Sequence, residues 1–124
     1  MSSKIKDSGK RRSFDTGAVR DMGDGKGRMD LLPWRALIKI AQHFEEGALK
    51  YGENNWKKGL PLHCYLDSAF RHGAKVMMGM DDEPHMRAFG WNILCFIETA
   101  IMIKEGLLPQ ELNDVPGFNL ETMI

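Results

Sequence analysis

PWRALIKIAQHFEEGALKYGENNW, residues 33–56, decides how the rest of the chain is read. Trp34, Leu37, Ile38, Ala41, Phe44, Ala48 and Tyr51 recur at steps of three and four, which is the period of one helix face. Pro33 suits a first helical turn and Gly52 suits the residue just past a last one, so the spacing predicts an amphipathic helix from Pro33 to about Tyr51. At about 100° per residue, Glu45 falls roughly 60° from the centre of the apolar stripe, and Glu46 points nearly the opposite way. Glu45 is therefore expected at the rim of the buried face, and Glu46 in solvent. The end of the stretch gathers Lys50, Tyr51, Asn54, Asn55 and Trp56 around a Gly break, more chemistry than a surface turn needs.

A second helix is predicted from about Leu62 to Met78, with Leu62, Tyr65, Leu66, Ala69, Gly73, Val76 and Met77 inward. His63, Asp67 and His72 flank that stripe, and Asp67 and Arg71 form an i,i+4 pair. GMDDEP, residues 79–84, reads as a turn in which Asp81 or Asp82 can cap a third helix running to about Lys104. Its segment AFGWNILCFIETAIMI is apolar nearly all round, so it is expected to be buried on several sides. His85, Asn92 and Thr99 recur on it at seven-residue steps. Such a polar row costs stability unless each member finds a partner, so it is either hydrogen-bonded structure or the lining of a site. Gly106 stops the helix, and the tail is a short helix or an arm.

No strand pattern and no internal repeat is visible. The expected fold is all-α: a bundle of three long helices with a loop-rich N-terminal arm. A monomer this small is not expected to bury its third helix alone, so a homo-oligomer, dimer or tetramer, is expected, with the third helix near the interface. Residues 1–13 are polar and basic and read as a disordered arm, and residues 14–124 as a single domain. Residues 14–32 carry Gly17, Gly23, Gly25 and Gly27 and read as loop, with Arg20, Lys26 and Arg28 suited to phosphate.

Charge sharpens the choice of partner. The chain of 124 residues is neutral, but residues 1–32 hold 8 basic and 5 acidic groups, and the remainder 9 and 12. That balance makes nucleic acid an unlikely partner and fits a site where metal ions meet phosphates. The alternative is a non-enzymatic helical oligomer, a phage regulatory protein whose basic arm touches nucleic acid. Cys64 and Cys95 are isolated in apolar runs and are expected to be reduced core thiols. No signal peptide and no uninterrupted apolar span is seen, so a cytoplasmic protein without a membrane partner is expected.

Serine-nucleophile, HExxH, paired-cysteine zinc and EF-hand patterns are all missing. Carboxylates remain: Glu45 or Glu46, Asp67, and the run Asp81, Asp82, Glu83. Oxygen donors from separate helices suit Mg²⁺ or Mn²⁺. A third possibility, a His/Asp metal phosphohydrolase, rests on His72, Asp82 and His85.

The blocks TGAVRD, GKGRMDLLP, HFEEGALKYGENNWKKG, YLDSAFRH and DEPH…WN, in this order over residues 14 to about 103, resemble those of the phage and bacterial dATP/dGTP diphosphohydrolases. That family is related to the MazG-like all-α nucleoside triphosphate pyrophosphohydrolases. The resemblance implies hydrolysis of dGTP or dATP to the monophosphate and pyrophosphate. Water would attack the α-phosphorus with roughly two or three Mg²⁺ or Mn²⁺ ions bound. It implies Glu45, Asp67 and Asp82 as metal ligands, Glu45 also taking the water's proton, with Glu46 and His85 in reserve. Arg20, Lys26, Arg28, Lys50 and Arg71 would bind phosphate. Tyr51 or Trp56 would stack on the purine and Asn54, Asn55 or Asn92 read its edge, with His72 and His85 near substrate. The chain departs from the Glu-x-x-Glu and Glu-x-x-Asp pattern of the MazG group: neither Glu45 nor Glu46 has a Glu three residues on. Spacing alone therefore does not transfer the ligand set.

Overall fold

The computed structural model describes residues 9–124. These form two units, one within residues 9–33 and one spanning Trp34–Ile124. Most of the arm expected to be disordered, residues 1–8, lies outside the described residues.

In the first unit the expectation of loop without strands is corrected. β1 (Arg11–Ser13) and β2 (Val19–Asp21) pair antiparallel, with Arg11 opposite Asp21 and Ser13 opposite Val19. Phe14 N–H donates to Ala18 O at 3.0 Å and Gly17 N–H to Phe14 O at 2.9 Å, closing the turn. Gly17 takes φ +87°, a conformation open to glycine. Three-residue strands exposed on both faces have no room for alternation, so periodicity missed them. Asp21 holds them by charge: Lys26 Nζ lies 3.2 Å and Arg11 Nη1 3.8 Å from its carboxylate.

The second unit follows the predicted helices. α1 spans Trp34–Tyr51, α2 Leu62–Met77 and α3 His85–Lys104. α3 lies against both others and packs most extensively on α2. Two glycines permit the close approach. A Cβ on Gly90 would stand 2.8 Å from Ile40 Cδ1 of α1, and one on Gly73 3.0 Å from the Phe89 ring. By length and composition alone α3 is apolar enough to cross a bilayer. Here it is the central helix, burying Ala88, Cys95, Phe96, Ala100 and Ile103 against Leu62 and Tyr65 of α2 and their surroundings.

The polar row on α3 meets a matching row on α2. Thr99 Oγ1 donates to Tyr65 Oη at 3.3 Å, Asn92 Nδ2 to Ser68 Oγ at 3.3 Å, and the Nδ1 atoms of His85 and His72 stand 3.0 Å apart. Residues 65, 68 and 72 climb α2 as 99, 92 and 85 descend α3, which is the register of an antiparallel pair. Asn92 also donates to Ala88 O at 2.9 Å.

The tail folds back instead of extending as an arm. Leu108, Leu112, Val115, Phe118 and Leu120 close the open side of the core, with the Phe118 and Phe96 rings edge to face at 4.9 Å. Gln110 Nε2 donates to Ile103 O at 2.8 Å, satisfying a carbonyl at the end of α3. Asp114 caps α2 from 51 residues away: its Oδ1 accepts from His63 N–H at 3.0 Å and its Oδ2 meets His63 Nδ1 at 2.5 Å. Both cysteines are free thiols, and burial pushes the Cys95 thiol up to about 12.

Leu62 is fully buried and Leu49 86% exposed. Leu62→Ala is expected to cost about 2–5 kcal/mol of unfolding free energy, and Leu49→Ala no more than about 0.5. Denaturant titration of the two variants beside the parent checks this; equal losses would contradict the packing described.

Candidate active site

The second half of α1 stands between two recesses. One is aromatic, about 270 Å³, with Phe44, Glu45, Tyr51, Asn55, Trp56 and Trp91 in its wall. The other is polar, about 330 Å³, and includes His43, Glu46, Lys50, His72 and Glu83. Gly47 and Tyr51 border both, so the recesses adjoin across α1.

The loop after α1 shapes the aromatic recess. Gly52 leaves the helix at φ +90° and Asn54 holds a left-handed conformation at φ +58°, which asparagine tolerates better than most residues. A 3₁₀ turn, Asn55–Lys58, then carries Trp56 back over the core. The Phe44 ring lies 6.1 Å from that of Trp56 and 5.8 Å from that of Trp91. Trp56 thus both covers the core and lines the recess. Glu45 is exposed and makes no hydrogen bond or ion pair among the described residues.

The polar recess is built from a row at i, i+3 and i+7 on α1: His43, Glu46 and Lys50. Arg87 of α3 reaches across to this row. Its Nη2 donates to Glu46 Oε2 at 2.5 Å and its Nε to His43 Nδ1 at 3.3 Å. Glu46 is exposed as expected, yet its charge is offset by Arg87. Burial, then the Arg87 charge, hold the His43 imidazole below the ordinary histidine range. Burial does the same to His72, partly opposed by Glu83.

Behind the recess stands a compact cluster. Glu83 Oε1 is 3.5 Å from His72 Nδ1 and 3.6 Å from His85 Nδ1. Asp82 Oδ1 lies 2.8 Å from His85 Nε2, a bond that holds the Asp82 carboxyl below the usual carboxylate range. Asp82 therefore orients His85 and does not cap α3, whose N-terminus carries no side-chain cap.

The other residues singled out from the sequence fall elsewhere. Asp67 and Arg71 pair with each other on exposed α2 surface and border neither recess. Asn92 is buried in the helix seam. Arg20, Lys26 and Arg28 belong to the N-terminal unit. There Lys26 is paired with Asp21, and Arg28 makes a two-point pair with Asp30 at 2.9 and 2.7 Å. The carboxylates Glu45, Asp67 and Asp82 do not converge; among the described residues His72, Glu83 and His85 do. His43, Arg87 and Trp91 were not singled out from the sequence. The 43/46/50 row was a readable signal for His43. Nothing local marks Arg87 or Trp91, whose roles come from α3 lying against α1.

The folded-state value of His43 lies below its ordinary 6.5, so the native fold favours the neutral ring. The unfolded chain then binds the extra proton first, and stability present above 6.5 is lost as pH falls through and below it. His72 contributes with the same sign. His43→Gln is expected to flatten this slope without removing it, as read by urea midpoints between pH 7.5 and about 5. An unchanged slope would show that His43 is not held neutral.

A family model described as dATP/dGTP diphosphohydrolase, N-terminal, matches residues 16–106, a span that includes α1, α2, α3 and both recesses. No curated protein and no solved structure matches the chain. The match covers well over half of the sequence, and the chain belongs to the dATP/dGTP diphosphohydrolase, N-terminal, family.

Proposed function

We propose that this chain hydrolyses purine deoxynucleoside triphosphates, dGTP or dATP, to the monophosphate and pyrophosphate. The observation that carries the reading is the uncommitted carboxylate of Glu45 on a helix segment that separates an aromatic recess from a polar one. The purine stacks on Trp56 or Tyr51 with Asn54 and Asn55 at its edge. The phosphates cross α1 near Gly47, where no side chain obstructs them, toward Lys50.

Glu45 and Glu46 are adjacent hard-oxygen donors, a set that fits Mg²⁺ or Mn²⁺, which typically take one or two carboxylates plus substrate phosphates. When bound, such ions offset the triphosphate charge and lower the pKa of a water. Glu45 takes the proton of the attacking water as its oxygen bonds to the α-phosphorus. The bond from that phosphorus to the bridging oxygen breaks, and pyrophosphate leaves with the electron pair. Lys50 meets the charge that develops on the phosphates. Arg87 keeps Glu46 oriented. Asp67 and Arg71, already joined to each other, have no part in these steps.

We also propose that the chain works as a homo-oligomer. Trp34, Ile38, Phe70 and Met77 are all about half exposed or more. Docking of a second copy over these side chains would take them out of water. Sedimentation at several concentrations tests this.

With Mg²⁺ or Mn²⁺, dGTP or dATP is expected to release pyrophosphate and no orthophosphate; unchanged nucleotide across a metal panel would refute the proposal. Glu45→Gln is expected to lower kcat by about 10²–10⁴-fold and Glu46→Gln by less. Trp56→Ala is expected to raise KM by about 5- to 100-fold, the loss of one stacked base. Equal mild effects at positions 45 and 46 would remove Glu45 from its role.

A further inference from the structure

The cluster behind the polar recess is made of donors that hard ions do not prefer. Two imidazole nitrogens and one carboxylate oxygen form a triangle with edges of 3.0, 3.5 and 3.6 Å. Metal–ligand bonds of about 2.0–2.1 Å in tetrahedral geometry require edges of about 3.3–3.4 Å. The triangle has that size before any ion is considered.

Its chemistry agrees with its dimensions. Asp82 Oδ1 lies 2.8 Å from His85 Nε2; with the ring proton on that bond, Nδ1 is left as a lone pair toward His72 Nδ1, 3.0 Å away. A carboxylate fixing a histidine tautomer from behind is the usual outer partner of a metal-bound imidazole. His85 is 2% exposed, so that lone pair is buried, and its partner is a second imidazole nitrogen. With no ion, one proton on His72 Nδ1 satisfies the pair. Glu83 Oε1, beyond 3.4 Å from both nitrogens, then makes no good hydrogen bond to either. A cation satisfies all three at once.

We propose that His72, Glu83 and His85 form a binding site for one borderline divalent transition-metal ion, of the Zn²⁺, Co²⁺ and Ni²⁺ class. Two histidines and a glutamate select such ions over Mg²⁺ and Ca²⁺. His72 and Glu83 border the polar recess while His85 is buried behind them, so the fourth coordination position opens toward the recess. The ligands come from α2, the turn before α3, and α3 itself, and a bound ion pins this turn. This site is separate from the Glu45/Glu46 pair, and its existence does not depend on the hydrolase reading.

The test uses the full chain, stripped with a chelator and titrated with Co²⁺ in the absence of nucleotide. One Co²⁺ per chain is expected, with the intense visible bands of four-coordinate cobalt, displaced by equimolar Zn²⁺ and not by excess Mg²⁺. Asp82→Asn is expected to weaken binding by about 10- to 100-fold. His72→Gln and Glu83→Gln, both at positions outside the core, are expected to abolish the four-coordinate bands while circular dichroism stays native. Either variant suffices if the other fails to fold. No binding, only the faint spectrum of six-coordinate cobalt, or unchanged spectra in a folded variant would each overturn the site.

Discussion

Three polar contacts between α2 and α3 set the frame: Tyr65 with Thr99, Ser68 with Asn92, and His72 with His85. Thr99, Asn92 and His85 are at most 4% exposed, so each needs its partner inside the protein. An apolar seam tolerates sliding at modest cost. A polar one does not, because a slip of one turn leaves buried donors and acceptors unpaired together, each costing about 1–3 kcal/mol. The two helices are therefore locked in register as well as packed.

That register determines where the chemistry lies. With α2 and α3 fixed, the turn between them brings Glu83 beside His72 of α2 and Asp82 beside His85 of α3. The carboxylates there meet histidines instead of the acids of α1. Gly90 and Gly73 then decide how closely the outer layers approach α3. Close approach at Gly90 lets Arg87, one turn earlier, span to His43 and Glu46. The tail completes the unit: Asp114 caps α2 and the Phe118 ring meets that of Phe96.

Adjacent glutamates on α1 consequently live in different surroundings. Glu46 has its charge offset by a guanidinium, while Glu45 stands free beside aromatic rings. Adjacent residues diverge by about 100° around a helix, so each carboxylate borders a different recess. His72 and His85 add imidazole nitrogens beside Glu83, so carboxylate-rich and nitrogen-rich clusters lie on the same small body without using the same residues.

The sequence by itself determined the three helices, whose ends at Tyr51, Met77 and Lys104 match the stripes and glycine stops, because helix periodicity and termination are local. It determined the family through ordered blocks, and it marked His85, Asn92 and Thr99 as a row in need of partners. It did not reveal the hairpin of Arg11–Ser13 and Val19–Asp21, too short to carry a period. The Asp67–Arg71 pair is local to one helix and was legible at its i,i+4 spacing, whereas only the tertiary structure decided that Asp82 serves His85 and that Arg87 holds Glu46. Convergence depends on crossing geometry and register between elements up to 51 residues apart in sequence, such as His63 and Asp114, and no local spacing encodes those distances.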